Sequence, residues 1–108
     1  MLPDLPQPIA RYLAAERAKD ADKLAEVFAR DGVVKDEGRE HRGRSTIRKW
    51  KRAADAKYRY TLEPLSTTAD GKSVNVRVRL TGDFPGSPIE VDHIFTIDGD
   101  EIASLEIR

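Results

Sequence analysis

The sequence predicts an α+β fold in which three N-terminal helices pack on one face of a curved antiparallel sheet. Two patterns carry this prediction. Apolar residues recur at helical spacing in the first half of the chain, whereas from Tyr58 onward they alternate with polar residues at the spacing of β-strands. A chain of 108 residues has the usual size of one domain, so we expect residues 1–108 to form a single domain. The space between the helices and the sheet of such a cone is a natural pocket.

Three helical segments are predicted before the strands begin. Pro6 and Pro8 suit the first turn of a helix, because proline fixes φ and its missing N–H is not needed there. Asp20 is a suitable N-cap for the second helix. Trp50 lies on the apolar stripe of the third and should be substantially buried, whereas Lys51 is assigned to a solvated basic face. The helices are expected at residues 6–19, at residues 21–30, and from Gly43 or Ser45 onward.

Strands are predicted by β-branched residues and by alternating polarity. The β-branched segment 33–35 predicts a short strand, and the turn residues Asp36, Glu37 and Gly38 that follow predict a loop. The Asp-Gly-Asp segment at 98–100 predicts a tight hairpin turn. Longer antiparallel strands are expected at residues 58–63, 74–80, 89–97 and 101–107, with a loop at 81–88.

Composition and charge exclude several classes of function. The chain has 19 basic and 19 acidic residues, so no general field favours nucleic acid or an anionic membrane. No apolar run approaches membrane-spanning length, and the first residues lack the features of a signal peptide, so we expect a soluble, cytoplasmic protein. Cysteine is absent, and the isolated His41 and His93 lack the spacing of metal ligands, so we expect no metal site.

Asp92 stands out because it interrupts an otherwise apolar strand. A carboxylate that faces an apolar interior must gain a partner or a proton, so its position indicates either a structural pair or a working site. If Asp92 points inward, His93 points to the opposite face and has a surface or interface role. That face would also carry the apolar Val91, Phe95 and Ile97, which predicts a homodimer formed through the sheet.

The order of elements over nearly the whole chain resembles the nuclear transport factor 2-like (NTF2-like) superfamily. It resembles in particular the SnoaL-like branch, which also includes the ketosteroid isomerases. The most specific segments are residues 33–38, 41–50, 82–88 and 95–107. The resemblance implies a cone-shaped domain that forms homodimers and binds a small organic ligand.

Three positions match the pattern of ketosteroid isomerase, in which an Asp acts as base beside an oxyanion hole of Tyr and protonated Asp. They are Tyr12 on the first helix, Asp36 after the second, and Asp92. The resemblance implies that Asp36 abstracts a proton α to a carbonyl while Tyr12 and protonated Asp92 donate hydrogen bonds to the enolate oxygen, with no cofactor. The residues expected to line the pocket are Trp50, Phe28, Ile94 and Val78.

The sequence also departs from that pattern and leaves other functions open. Glu37 stands where the isomerases carry proline, and the charged segment 36–42, which includes His41, argues against a steroid. One alternative is a non-catalytic ligand-binding or protein-association module, in which Tyr12 is only a core aromatic residue. Another is epoxide opening by an Asp-activated water, which needs an arginine between carboxylates in the pocket. The sequence does not fix whether Arg77 or Arg79 points there.

Overall fold

The computed structural model describes residues 5–108, which form helices packed against one curved sheet. The predicted α+β class is confirmed. The third helix follows the first two strands rather than the second helix directly. The elements are α1 (Gln7–Ala18), α2 (Ala21–Glu26), β1 (Phe28–Asp36), β2 (Arg39–Arg42), α3 (Arg44–Lys57), β3 (Tyr60–Asp70), β4 (Ser73–Gly82), β5 (Ile89–Asp98) and β6 (Glu101–Ile107).

The six strands lie in the order β2-β1-β6-β5-β4-β3. Strands β1 and β6 run parallel, whereas every other neighbouring pair is antiparallel, so the prediction of a purely antiparallel sheet is wrong at one pair. Parallel neighbours need a long connection. Here the connection is the whole segment from β2 to β5, after which β6 pairs with β1.

The second helix is shorter than predicted. Asp20 caps it as expected, since its side chain accepts a hydrogen bond from the backbone N–H of Lys23 at 3.0 Å. The helix ends at Glu26 rather than at residue 30, because the Val27 carbonyl accepts from the backbone N–H of Ile102 at 2.9 Å. The chain therefore leaves the helix there in order to join the sheet.

The predicted loop after Asp36 is a tight hairpin. Asp36 pairs with Arg39, and the two residues between them, Glu37 and Gly38, both have positive φ (52° and 76°). Positive φ at both central positions is the geometry of a type I′ turn, which joins antiparallel strands. The turn places Asp36 at the open end of β1.

The core lies between the helices and the inner face of the sheet. Along β4, Val74, Val76 and Val78 point inward and are buried, whereas the alternating Arg77 and Arg79 point outward. The helices contribute the buried apolar residues Ile9, Tyr12, Leu13, Leu24 and Ile47 to the same cluster. Within residues 5–108, no helix is long and apolar enough to cross a membrane.

Candidate functional site

A cavity of about 580 Å³ opens between α1, α3 and the inner face of the sheet. Its volume is in the range of ligand pockets in proteins, and its walls are mostly apolar or aromatic. The apolar and weakly polar walls are Trp50, Ala54, Tyr58, Leu62, Leu80, Phe84, Pro85, Ile89, Val91 and Ile107. The other lining residues are Tyr12, Glu16, Asp36, Glu37, Tyr60, His93 and Arg108.

Asp36 lies on the cavity wall at the end of β1. The indole N–H of Trp50, the single tryptophan of the chain, donates to Asp36 Oδ2 at 3.1 Å. Burial raises the pKa of the Asp36 carboxyl, and the neighbouring Glu37 raises it further, whereas the Trp50 hydrogen bond acts in the opposite direction. The net effect is a higher pKa than that of an ordinary aspartate, so the carboxylate is a stronger base.

Tyr12 on α1 is 1% exposed and lines the same cavity. Its ring packs edge-on against Phe28 and Phe95, with centroid distances of 6.1 and 5.2 Å. Burial raises the pKa of the Tyr12 phenol well above its usual value, and the charges of Glu16 and Asp36 add to the effect. The hydroxyl therefore stays protonated and is available as a hydrogen-bond donor.

Asp92 does not share the cavity with Tyr12, so that prediction is wrong. Its side chain is 31% exposed on the outer face of β5, where Oδ1 accepts from Arg77 Nη1 at 3.1 Å. The reason is strand alternation: the inward positions of β5 are those of Val91, His93 and Phe95. Asp92 therefore has the structural pair that was one of the two explanations for it.

His93, which was expected on the opposite face from the site, is the β5 residue that reaches the cavity beside Tyr12. It is 2% exposed, and its ring centroid lies 6.2 Å from that of Tyr12. Its Nδ1 atom is buried and has no hydrogen-bond partner among residues 5–108. Burial lowers the pKa of His93 to about 4, so the imidazole is neutral at physiological pH. The apolar residues at alternate positions could have identified this inner face from the sequence.

The four predicted pocket-lining residues have different positions. Trp50 lines the cavity, although it is only partly buried. Phe28 and Val78 are fully buried in the core rather than on the cavity wall, and Ile94 lies with Asp92 on the outer face of β5. These three placements are therefore corrected. Phe28 and Val78 point inward but lie within the packed core. Ile94 alternates with the inward residues of β5 and therefore points to the outer face.

A buried ion-pair cluster adjoins the cavity, and sequence reasoning missed it. Lys51 is 0% exposed, not solvated, and its ammonium lies 2.5 Å from Glu16 Oε2 and 2.6 Å from Asp55 Oδ1. Lys51 also donates to the Tyr60 hydroxyl at 3.0 Å. Burial alone would raise the pKa of Glu16, but Lys51 and then Lys19 outweigh this and lower it. The positive charge of Lys51 is thus already compensated.

The arginines required for epoxide opening are not between carboxylates in the cavity. Arg77 pairs with Asp92 and Glu90, and Arg79 pairs with Glu63, all on the outer face of the sheet. Arg108 does line the cavity, but its guanidinium pairs with Glu106 at 2.8 Å. Within residues 5–108, no three His, Cys, Asp or Glu side chains cluster to hold a metal ion.

A six-stranded curved sheet packed against helices, with a cavity between them, is the fold of the NTF2-like class. The family model of the SnoaL-like domain matches residues 9–105, and the chain belongs to that family.

Solved structures agree with this assignment. A candidate polyketide cyclase from Sinorhizobium meliloti is 44% identical, with a TM-score of 0.93 over 97% of this chain and 96% of the other. A ketosteroid isomerase-like protein from Catenulispora acidiphila, in complex with trimethylamine, is 24% identical (TM-score 0.84; 97% and 86% covered). An epoxide hydrolase/cyclase-like enzyme of pyran ring formation in the polyether salinomycin is 22% identical (TM-score 0.79; 93% and 85% covered). The comparison with curated protein sequences found no match.

Proposed function

We propose that this SnoaL-like domain binds a small carbonyl compound and transfers a proton α to the carbonyl, as a cofactor-free isomerase or cyclase. The observation that carries the proposal is the position of Asp36. Its half-buried carboxylate, with a raised pKa, faces a largely apolar cavity whose wall also holds the protonated Tyr12. A base and a neutral donor on one largely apolar cavity are the parts that enolate chemistry needs.

The reaction follows from these two groups. Asp36 takes the α-proton, the electron pair of the broken C–H bond forms a C=C bond, and the π pair of the carbonyl moves onto its oxygen, which accepts a hydrogen bond from Tyr12. In a β,γ-unsaturated carbonyl compound, the protonated Asp36 then returns the proton to the γ-carbon of the dienolate, which completes an isomerisation. In a cyclase, the enolate carbon instead attacks a second carbonyl of the same molecule, and the protonated Asp36 gives its proton to the alkoxide that forms. Trp50 holds Asp36 in place through its 3.1 Å hydrogen bond.

A non-catalytic ligand-binding or protein-association module is the second candidate. A cone filled by side chains would favour it, whereas an open cavity favours an enzyme. The cavity of about 580 Å³ therefore supports the enzyme.

We also propose that the chain forms a homodimer through the outer face of the sheet, as its family resemblance implies.

The test of the catalytic proposal is hydrogen–deuterium exchange at the α-carbons of a panel of small ketones and diketones, followed by NMR. We expect Asp36→Asn to abolish the exchange while ligands still quench the fluorescence of Trp50. Glu40→Gln is the matched control, because it removes an exposed carboxylate of the same hairpin that does not line the cavity, and it should leave the exchange unchanged. Exchange at the wild-type rate in Asp36→Asn would contradict the proposal.

A further inference from the structure

We propose that His93 is the second hydrogen-bond donor to the enolate oxygen, in the role that the sequence assigned to Asp92. The inference rests on the proposed function and deepens it. It replaces a protonated acid by a neutral imidazole at the deep end of the cavity.

The position of His93 carries the first part of the argument. It sits on β5 between Val76 of β4 and Ile107 of β6, so the centre of the sheet fixes its backbone. Its ring packs against Tyr12 at a centroid distance of 6.2 Å, and both residues line the cavity. A ligand that reaches Tyr12 therefore enters the part of the cavity that His93 also lines.

The unpaired nitrogen of His93 carries the second part. A neutral imidazole has one N–H donor and one bare acceptor nitrogen. Here Nδ1 is enclosed with no partner within residues 5–108, so the ring nitrogen that a ligand in the cavity can reach is Nε2. A buried polar atom without a partner destabilises a fold, and an apolar side chain of similar size would avoid the loss. A residue that only packed the core would not need a ring with polar nitrogens. Buried polar atoms without a partner are expected at sites that bind a ligand.

The charge state of His93 fits the same role. Burial is the main cause that lowers the pKa of His93, while the charge of Glu16 raises it and that of Lys51 lowers it. The imidazole is therefore neutral. In this form it can donate to a developing negative charge, as neutral imidazoles do in other enolising sites.

These groups also indicate the class of substrate. Asp36 and Glu37 put negative charge on the cavity wall. The cations beside it are already paired, Lys51 with Glu16 and Asp55 and Arg108 with Glu106. A substrate that enters as a carboxylate would be repelled. A neutral ketone, aldehyde or dicarbonyl compound meets neutral donors at its oxygen and a base at its α-carbon.

The experiment measures the affinity of para-nitrophenolate, a mimic of the enolate, by quenching of Trp50 fluorescence. All proteins carry Asp36→Asn, because asparagine resembles the protonated base that accompanies the enolate. We expect His93→Leu to weaken binding about 10-fold to 100-fold, the usual effect of losing a hydrogen bond to a charged group. His93→Gln keeps a donor and should lose less. Unfolding by urea should show that His93→Leu is as stable as its parent or more so.

The control is Ile102→Val, a core substitution on β6 away from the cavity wall, which should lower stability and leave affinity unchanged. Nitrogen NMR of the imidazole gives a measurement without any change at His93: para-nitrophenolate should shift its ring nitrogen signals. Unchanged signals, or full affinity in His93→Leu, would overturn the role of His93. The proposed function would still stand if Asp36→Asn alone abolishes proton exchange. Failure of the phenolate to bind any protein, together with exchange that ignores Asp36→Asn, would overturn both.

Discussion

At the scale of single residues, His93 couples the pH of the solution to stability. Burial lowers its pKa from 6.5 to about 4, so between these values the unfolded chain binds a proton that the folded chain does not. The contribution to the free energy of unfolding is therefore complete above pH 6.5 and is lost as the pH falls toward 4. The expected loss from this residue is about 3 kcal/mol.

Urea unfolding across this pH range checks the prediction. The wild type should lose stability steadily as the pH falls, and His93→Leu should lose about 3 kcal/mol less over the same range. Equal pH dependence in the two proteins would show that His93 is not the group that titrates.

Lys51 shows how much one buried charge can contribute. Lys51→Ala should cost about 3–5 kcal/mol, because it leaves the buried carboxylate of Glu16 and that of Asp55 with only the more exposed Lys19 as a cation. Lys49→Ala on the exposed side of α3 is the control and should change stability by less than about 0.5 kcal/mol. Both are measured by urea unfolding at neutral pH.

The stabilisation by Lys51 should decrease in acid. Lys51 helps to lower the folded-state pKa of Glu16 below 4.5, so its stabilisation is present above that pH and is lost as the pH falls further. The gap between wild type and Lys51→Ala should therefore narrow in acid. A gap that stays constant into acid would mean that Lys51 stabilises by packing alone.

At the scale of elements, the β1–β2 hairpin makes a specific demand on residue 37. Glu37 has a φ of 52°, which proline cannot adopt, because its ring holds φ near about −65°. The departure from the proline of the isomerases is thus a difference in turn geometry. Asparagine followed by glycine is the preferred pair for a type I′ turn, and Gly38 is already present.

Glu37→Asn should therefore stabilise the protein, by up to about 1 kcal/mol, through relief of the left-handed conformation. Removal of a negative charge next to Asp36 acts in the same direction at neutral pH. The change in stability is measured by thermal unfolding, and Glu40→Asn on β2 is the control. A lower melting temperature for Glu37→Asn would contradict the turn assignment.

Sequence patterns located most elements but not all of their ends. The last strand, residues 101–107, was predicted with its observed bounds, because the hairpin turn at Asp98, Gly99 and Asp100 marks its start. Strand β2 was missed since Arg39–Arg42 is wholly polar and has no apolar alternation. Strand β3 was cut short at residue 63, because Pro64 and the polar Ser66, Thr67 and Thr68 beyond it give no alternating apolar pattern. The sheet continues there through a bulge between Pro64 and Ser66.

The candidate site was only partly predictable for a related reason. Helical spacing placed Tyr12 on the inward stripe of α1, and the resemblance to ketosteroid isomerase indicated Asp36. For β5, the sequence indicated a strand but not which side faced the helices, and a shift of one residue exchanges the two faces. The assumption that Asp92 points inward therefore moved His93 outward. The Lys51 cluster depends on contacts between α1 and α3, which helical spacing alone does not contain.

At the scale of the whole molecule, the inner face of the sheet is apolar and the outer face is a ladder of ion pairs. Val91 lines the cavity and Phe95 lies in the core, so the apolar surface that predicted a dimer faces the helices instead. That argument for dimerisation is wrong. The outer face instead presents Ile94, which lies in register between Asn75 and Glu106.

The proposed homodimer can be tested at this position. Ile94 is only partly buried on this face, so a second copy packed there would cover it. We expect Ile94→Lys to convert a dimer into a monomer, because it would place two like charges near the centre of a two-fold interface. Light scattering at micromolar concentration measures the mass, and Lys49→Glu on the exposed side of α3 is the control that should stay dimeric. A monomer mass for the wild type that does not depend on concentration would contradict the proposed homodimer. A dimer that persists in Ile94→Lys would place the interface on another surface.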